Sequence, residues 1–406
     1  GTNKKGCMKK SSILLKLVVP GLLIGLLTLV LCAGHGSSAY YNVPLLSSTC
    51  PPGFKLNQRN ECISQNLYLQ YTTANDPGVG GLKTALPEVR DGFSPQEIDL
   101  GRYLFFDPAL SSNGTISCAT CHDPNKGFGD GLPTSKGMGD YTLQRAAPTL
   151  WNVAYLKSFF WDGRAQTLEE QMKGPLFDKN EMANTPENLI NSLNAIENYR
   201  FLFAEAFPDR SKNDSISLNE IYKSLTAFQS SLISLNSKYD RYAHGYHKAL
   251  NQNQIEGLNI FRSFVARCAE CHTPPLFTNQ QIAVLGAPEP NGLPFDPGAE
   301  IPFKDKTLRG GFKIPTLRNI EKTAPYMHSG MFPSLRETVQ FYNDGRGHAV
   351  PENEDLILHW HIWEPNLTDY ELDRVVDFLK TLTDESFLPK TPEVVPSGLT
   401  TMINPY

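Results

Sequence analysis

Apolar residues recur at helical spacing in three stretches of this chain, and each stretch opens on a polar start signal. In SPQEIDLGRYLFF, Ser94 stands as N-cap, Pro95 takes the first helical position and Glu97 completes a capping box. NQNQIEGLNIFRSF, from Asn251, repeats the plan, and LTDYELDRVVDFLKTL repeats it again with Thr368 as N-cap and Glu371 as its partner. Between them run long Gly/Pro-rich segments such as AVLGAPEPNGLPFDPGAEIPF, which read as irregular loops. The pattern predicts a mainly α protein in which strands, if any, are short.

A fourth apolar run has a different character. SSILLKLVVPGLLIGLLTLVLCAGHG follows Lys9 and Lys10, is interrupted only by Lys16, and leads to SSA at 37–39, a small-residue cleavage site before Tyr40. Residues 1–39 therefore read as a signal peptide, with an uncleaved membrane anchor as the alternative because the run is long enough to span. Leu31 before Cys32 argues against a lipoprotein signal. Export to the periplasm or the outer cell surface is expected, with inner-membrane anchoring as the variant.

Composition adjusts this picture in two places. A chain of 406 residues with 40% hydrophobic content has room for about two domains. The net charge is −5, and removing residues 1–39 leaves 32 basic residues against 42 acidic ones, so nucleic acid is an unsuitable partner. Of the eight cysteines, Cys7 and Cys32 lie in or before the leader, while Cys50 and Cys62 flank a short, turn-rich CPPGFKLNQRNEC that suits a local disulfide. Such a bond also calls for an oxidising compartment.

The other four cysteines carry the chemistry. CATCH at 118–122 returns as CAECH at 268–272, and two cysteines two residues apart followed at once by histidine form the c-type haem attachment signature. A redox CxxC pair or half of a zinc site needs no histidine next to the second cysteine. Two covalent haem c groups are expected on Cys118, Cys121, Cys268 and Cys271, with His122 and His272 as iron ligands. Helix, haem loop and closing helix make a cytochrome c-like domain. The expected organisation is 1–39 leader, 40–93 N-terminal extension with the Cys50–Cys62 disulfide, 94–245 first haem domain, and 246–406 second haem domain. For the second axial positions, Met138, Met172, Met182, Met327, Met331, Tyr342 and the remaining histidines are candidates, and spacing does not choose among them. His244, His247, His359 and His361 read as surface or structural residues.

From about 94 to 385 the sequence resembles the bacterial dihaem cytochrome c peroxidases and their relative MauG. The resemblance rests on LFFDPALSSNGTISCATCHDP, GLPTSKGMGD, FWDGRAQTLEEQMKGPL, NEMANTPENL, CAECHTPPLFT and KIPTLRNIEKTAPYMHSG, in that order. It implies that Trp161 lies between the haems and that Gln171 and Glu181 line the peroxide side of the first. Splitting an O–O bond heterolytically requires a base that takes a proton from one oxygen and returns it to the other, and a carboxylate in a partly dry pocket can do so near neutral pH. The resemblance assigns that role to Glu181.

Two positions depart from the peroxidase pattern. Met138 stands where many of these peroxidases carry a loop histidine, 23 residues before Trp161. Tyr342, in ETVQFY, stands where they carry the methionine ligand of the second haem, as in MauG, with Met327 or Met331 as the alternative ligand. A thioether raises a haem potential, whereas a phenolate lowers it and favours the higher oxidation states. A calcium ion common in the family has Ala146 in place of its asparagine, so calcium stays open. The resemblance thus implies an exported oxidoreductase that reacts with hydrogen peroxide and oxidises a residue of a protein partner through a high-valent dihaem state. The alternative is a peroxidase fed by a small cytochrome or cupredoxin, and a third option is a non-enzymatic dihaem carrier, which would need neither Glu181 nor Gln171. A homodimer is left open.

Overall fold

The three start signals act locally as their chemistry requires. Ser94 Oγ accepts the Glu97 amide at 3.1 Å while Glu97 Oε2 accepts the Ser94 amide at 2.9 Å, and helix Pro95–Phe106 follows. Asn251 with Gln254, and Thr368 with Glu371, form the same reciprocal pair ahead of helices Gln252–Phe261 and Asp369–Leu379. Each box satisfies amides that a helix start leaves without partners. The computed structural model describes residues 45–70, 86–211, 214–345 and 347–403. The apolar leader, with Cys7 and Cys32, lies outside the described residues, among which no helix is long and apolar enough to cross a membrane.

Among the described residues the architecture is mainly helical, with two small two-stranded antiparallel sheets. Its organising feature is one helix crossing made twice. Helix Pro95–Phe106 packs across helix Leu218–Ser230, and helix Gln252–Phe261 packs across Asp369–Leu379. At the first crossing a methyl on Gly101 would stand 1.9 Å from the Ser224 carbonyl oxygen and 2.9 Å from Phe228 Cβ. At the second, a methyl on Gly257 would stand 1.9 Å from the Arg374 carbonyl oxygen and 2.8 Å from Phe378 Cβ. Only glycine lets the two backbones approach so closely. The helix Leu218–Ser230 was not legible as the first closing helix, because it buries Ser224, Thr226, Gln229 and Ser230 beside its apolar residues.

Each haem motif forms one short helical turn, Cys118–Cys121 and Cys268–Cys271, after the first helix of its pair. Phe105, Phe106, Phe128, Trp151 and Phe228 belong to one buried cluster, and Phe261, Phe277 and Phe378 to another. The C-terminal segment returns to the first cluster: Val395 is buried in it, Ser397 Oγ donates to Asp107 at 2.6 Å, and the Met402 carbonyl accepts from Ser117 Oγ at 3.0 Å.

The N-terminal extension is tied down by similar means. Strands Phe54–Leu56 and Cys62–Ser64 pair antiparallel, and Cys50 is bonded to Cys62. Further on, the Tyr68 hydroxyl donates to buried Asp240, which also receives both arms of the fully buried Arg318 guanidinium at 2.6 and 2.8 Å. Burial alone would raise Asp240, but Arg318 outweighs it and holds the carboxyl below the usual range. A buried pair of this kind is stable only because its hydrogen bonds are complete. It fixes the KIPTLRN segment, which walls the second haem motif.

Candidate functional site

Both motif histidines are oriented through one ring nitrogen. His122 Nδ1 bonds the Phe128 carbonyl at 2.8 Å, and His272 Nδ1 reaches the Phe277 and Pro315 carbonyls at 3.1 and 3.2 Å. A carbonyl can only accept, so Nδ1 carries the proton and Nε2 keeps its lone pair for a metal. Burial lowers His122 and brings His272 down to about 4, which keeps both imidazoles neutral at neutral pH. Phe128 and Phe277, one acceptor at each histidine, stand at φ of 63° and 54°, a conformation that bulky side chains seldom adopt. The same local device is built twice.

The four motif cysteines are unbridged, and burial pushes all of them up, Cys118 and Cys268 to about 12. Each cavity therefore offers two neutral thiols and one imidazole with a free Nε2, the donor set that a haem c consumes. The residues fit the group at both sites.

The first cavity is walled by Cys118, Cys121 and His122 together with Gln171, Glu181 and Gly137. Gln171 closes a helical turn, Leu168–Gln171, that Thr167 caps. Glu181 lies in a turn rather than on a helix. Burial first, and the Asp178 charge second, push its carboxyl up to about 7, against the opposing pull of Arg164. The Met138 loop is fastened to the same turn, since the Met138 amide donates to the carbonyls of Asn180 and Glu181, each at 3.0 Å. A side chain at Gly137 would collide with the Asn180 carbonyl at 1.8 Å. Gly137, not Met138, forms the cavity wall, and Met138 packs against the apolar cluster.

The second cavity is walled by Cys268, Cys271, His272, Tyr342, Trp161 and Met327, while Met331 lies outside the wall. Tyr342 is carried by helix Leu335–Asn343, and burial pushes its phenol up. Trp161 donates its indole N–H to the Ala146 carbonyl at 2.9 Å, and its own carbonyl accepts from the Lys313 amide at 2.7 Å. Residues 146–149 line this cavity, Leu150 lines the first, and the Pro148 carbonyl also reaches His122. One five-residue segment thus touches both.

Three residues of this wall were not placed there by the sequence. Lys313, at the head of KIPTLRN, is lowered to about 8 by burial. His328, within PYMHSG, stacks on Phe312 at 3.8 Å and bonds Glu289 at 2.8 Å, and its carbonyl accepts the Ala146 amide at 2.7 Å. His361, read as a surface or structural residue, also lines the cavity. Only the quoted motifs around the first two could have pointed to them.

Comparison with known proteins places these cavities in a family. The profile of the di-haem cytochrome c peroxidase family matches residues 95–248. The methylamine utilization protein MauG of Methylorubrum extorquens is 33% identical over 301 residues, 74% of this chain and 82% of that protein. The cytochrome c551 peroxidase of Nitrosomonas europaea is 33% identical over 327 residues, 80% of this chain and 89% of that one. Among solved structures, a MauG-like protein associated with microbial copper homeostasis superposes with a TM-score of 0.68 at 30% identity, covering 75% of this chain and 95% of that one. The diheme peroxidase BthA of Burkholderia thailandensis gives 0.62 at 26% identity, covering 78% and 91%. With two CxxCH cavities on paired helix crossings and relatives of this extent, the chain belongs to the dihaem cytochrome c peroxidase and MauG family of haem oxidoreductases.

Proposed function

We propose that this enzyme uses hydrogen peroxide to oxidise a residue of a protein partner, in the manner of the MauG branch, after export under the direction of residues 1–39. The observation that carries the reading is Tyr342: the side chain that helix Leu335–Asn343 turns into the cavity of His272 is a phenol and not a thioether. Two bound haems, held by Cys118, Cys121 and His122 and by Cys268, Cys271 and His272, would supply the redox chemistry of peroxide reduction. Glu181, held at about 7, accepts the peroxide proton on its carboxylate and returns it to the departing oxygen. Gln171 orients the peroxide through its amide. Trp161 offers its ring for charge to pass between the two halves, and Tyr342 would hold the iron of the second haem. In this reading 94–245 and 246–406 are the two haem domains. Ala146 suits calcium poorly, because it has no side-chain oxygen and its carbonyl already accepts the Trp161 indole.

One observation favours the carrier-fed peroxidase instead: Met327 also lines the second cavity. The two are separated by adding peroxide to the fully oxidised protein with no electron donor present. Consumption of peroxide with both oxidising equivalents retained, and later recovered by a titrated reductant, supports the proposal. Inertness until one electron has been added selects the carrier-fed peroxidase.

A further inference from the structure

The second cavity has an edge that none of this chemistry uses. Ligand atoms of Cys271, His359 and His361 lie within 4.8 Å of one another, the one such group of three among the described residues. His361 Nε2 is 3.1 Å from Glu270 Oε2, so the carboxylate takes that N–H and fixes the tautomer. The other nitrogen, Nδ1, then carries a lone pair, and it is buried with no hydrogen-bond partner. A lone pair withdrawn from water and left unmatched is unfavourable unless something occupies it.

The segment that carries these histidines is held on both sides. The His359 amide donates to the Val284 carbonyl at 2.9 Å, and the Trp363 indole donates to the Val265 carbonyl at 2.9 Å. The Arg267 guanidinium lies 3.4 Å over the Trp363 ring, and Trp360 packs on His361 with ring centroids 3.5 Å apart. The donors are therefore ordered before any ion arrives, which lowers the entropy lost on binding.

We propose that His359, His361 and the Cys271 sulfur form a binding site for a copper(I) ion at the edge of the second haem. Two imidazoles and one sulfur make a soft donor set. Once Cys271 is joined to haem its sulfur is a thioether, which keeps lone pairs but carries no charge. That change disfavours zinc, which draws its sulfur affinity from thiolate, and leaves copper(I) well served. The site does not depend on which residue ligates the second iron. Glu270 acts as a positioning residue through His361. A cation at this edge favours the reduced over the oxidised haem, so copper binding raises the potential of the second haem.

The test uses the holoprotein with both haems attached, titrated anaerobically with copper(I) against a chromophoric copper(I) chelator. One ion per chain is expected for the wild type, with loss of that ion in the His359→Ala/His361→Ala variant and about 10–100-fold weaker binding in Glu270→Gln. Haem content and the optical spectrum report that each variant is folded. The potential of the second haem should rise on copper addition in the wild type and stay fixed in the double variant. No copper uptake by the wild type, equal uptake by the double variant, an unmoved potential with one ion bound, or tighter binding of zinc(II) than of copper(I) in the same competition would each overturn the proposal.

Discussion

On the wall of the first cavity stands a carboxyl that burial holds at about 7, ready to give or take a proton. On the wall of the second stand a phenol that burial pushes up and a lysine that burial brings down to about 8. Around these walls the scaffolds match: a glycine-centred helix crossing, one turn of CxxCH, and a histidine whose Nδ1 is held by a phenylalanine carbonyl at positive φ. The shared parts prepare an imidazole and two thiols for haem. In the proposed function the differing walls decide what each haem then does. Desolvation acts in both cavities, but it raises a carboxyl to about 7 in one and leaves a phenol whose ionised form needs a metal in the other.

The largest break in this comparison comes from removing one thiol pair. Cys268→Ala/Cys271→Ala should leave a protein with one covalent haem instead of two, with Cys118 and Cys121 still loaded, as read by intact mass. Loss of both haems would show that the two cavities do not form independently.

Next in size is Glu181→Gln. It should slow the reaction with peroxide by about 10²–10⁴-fold, the scale of losing a general acid/base, while Tyr342→Phe leaves the initial rate within about tenfold. Stopped-flow mixing measures both. Equal losses in the two variants would merge the roles that the walls keep apart.

The pH dependence sharpens the same point. In the proposed mechanism Glu181 works as a base, and its active form is the carboxylate, which predominates above a pKa of about 7. The wild-type rate should rise about tenfold per pH unit below that value and level off above it, and Glu181→Gln should flatten the profile. A wild-type rate that falls as pH rises through 7 would reverse the assignment.

The smallest effect concerns the scaffold. Gly101→Ala and Gly257→Ala each force a methyl against a carbonyl 1.9 Å away and should each destabilise the fold by about 1–3 kcal/mol or more. Denaturant unfolding of the two variants asks whether the crossings are energetically as alike as they are geometrically.

What the sequence made legible was local. Ser94 with Glu97, Thr368 with Glu371 and the two CxxCH turns each complete their chemistry within a few residues, so short motifs reveal them. The candidate walls of the first cavity, Gln171 and Glu181, came from likeness to relatives; no periodicity marks them. Lys313 was not singled out, and His328 and His361 stood only among the remaining histidines, because their character is tertiary. Lys313 becomes unusual only once burial lowers it, and His361 only once Cys271, ninety positions earlier, comes within reach. Helix Leu218–Ser230 hid for a related reason, since its buried face mixes Ser, Thr and Gln with its apolar residues.

The central claim is that the second haem is tuned by Tyr342 for holding oxidising power. Spectroelectrochemical titration of the wild type and of Tyr342→Met, each carrying both haems, tests it most directly. The account predicts a second haem that resists reduction in the wild type and that shifts to a distinctly higher potential, with a changed spectrum, when a thioether replaces the phenolate. An easily reduced second haem in the wild type, or a substitution that moves neither its potential nor its spectrum, would contradict it.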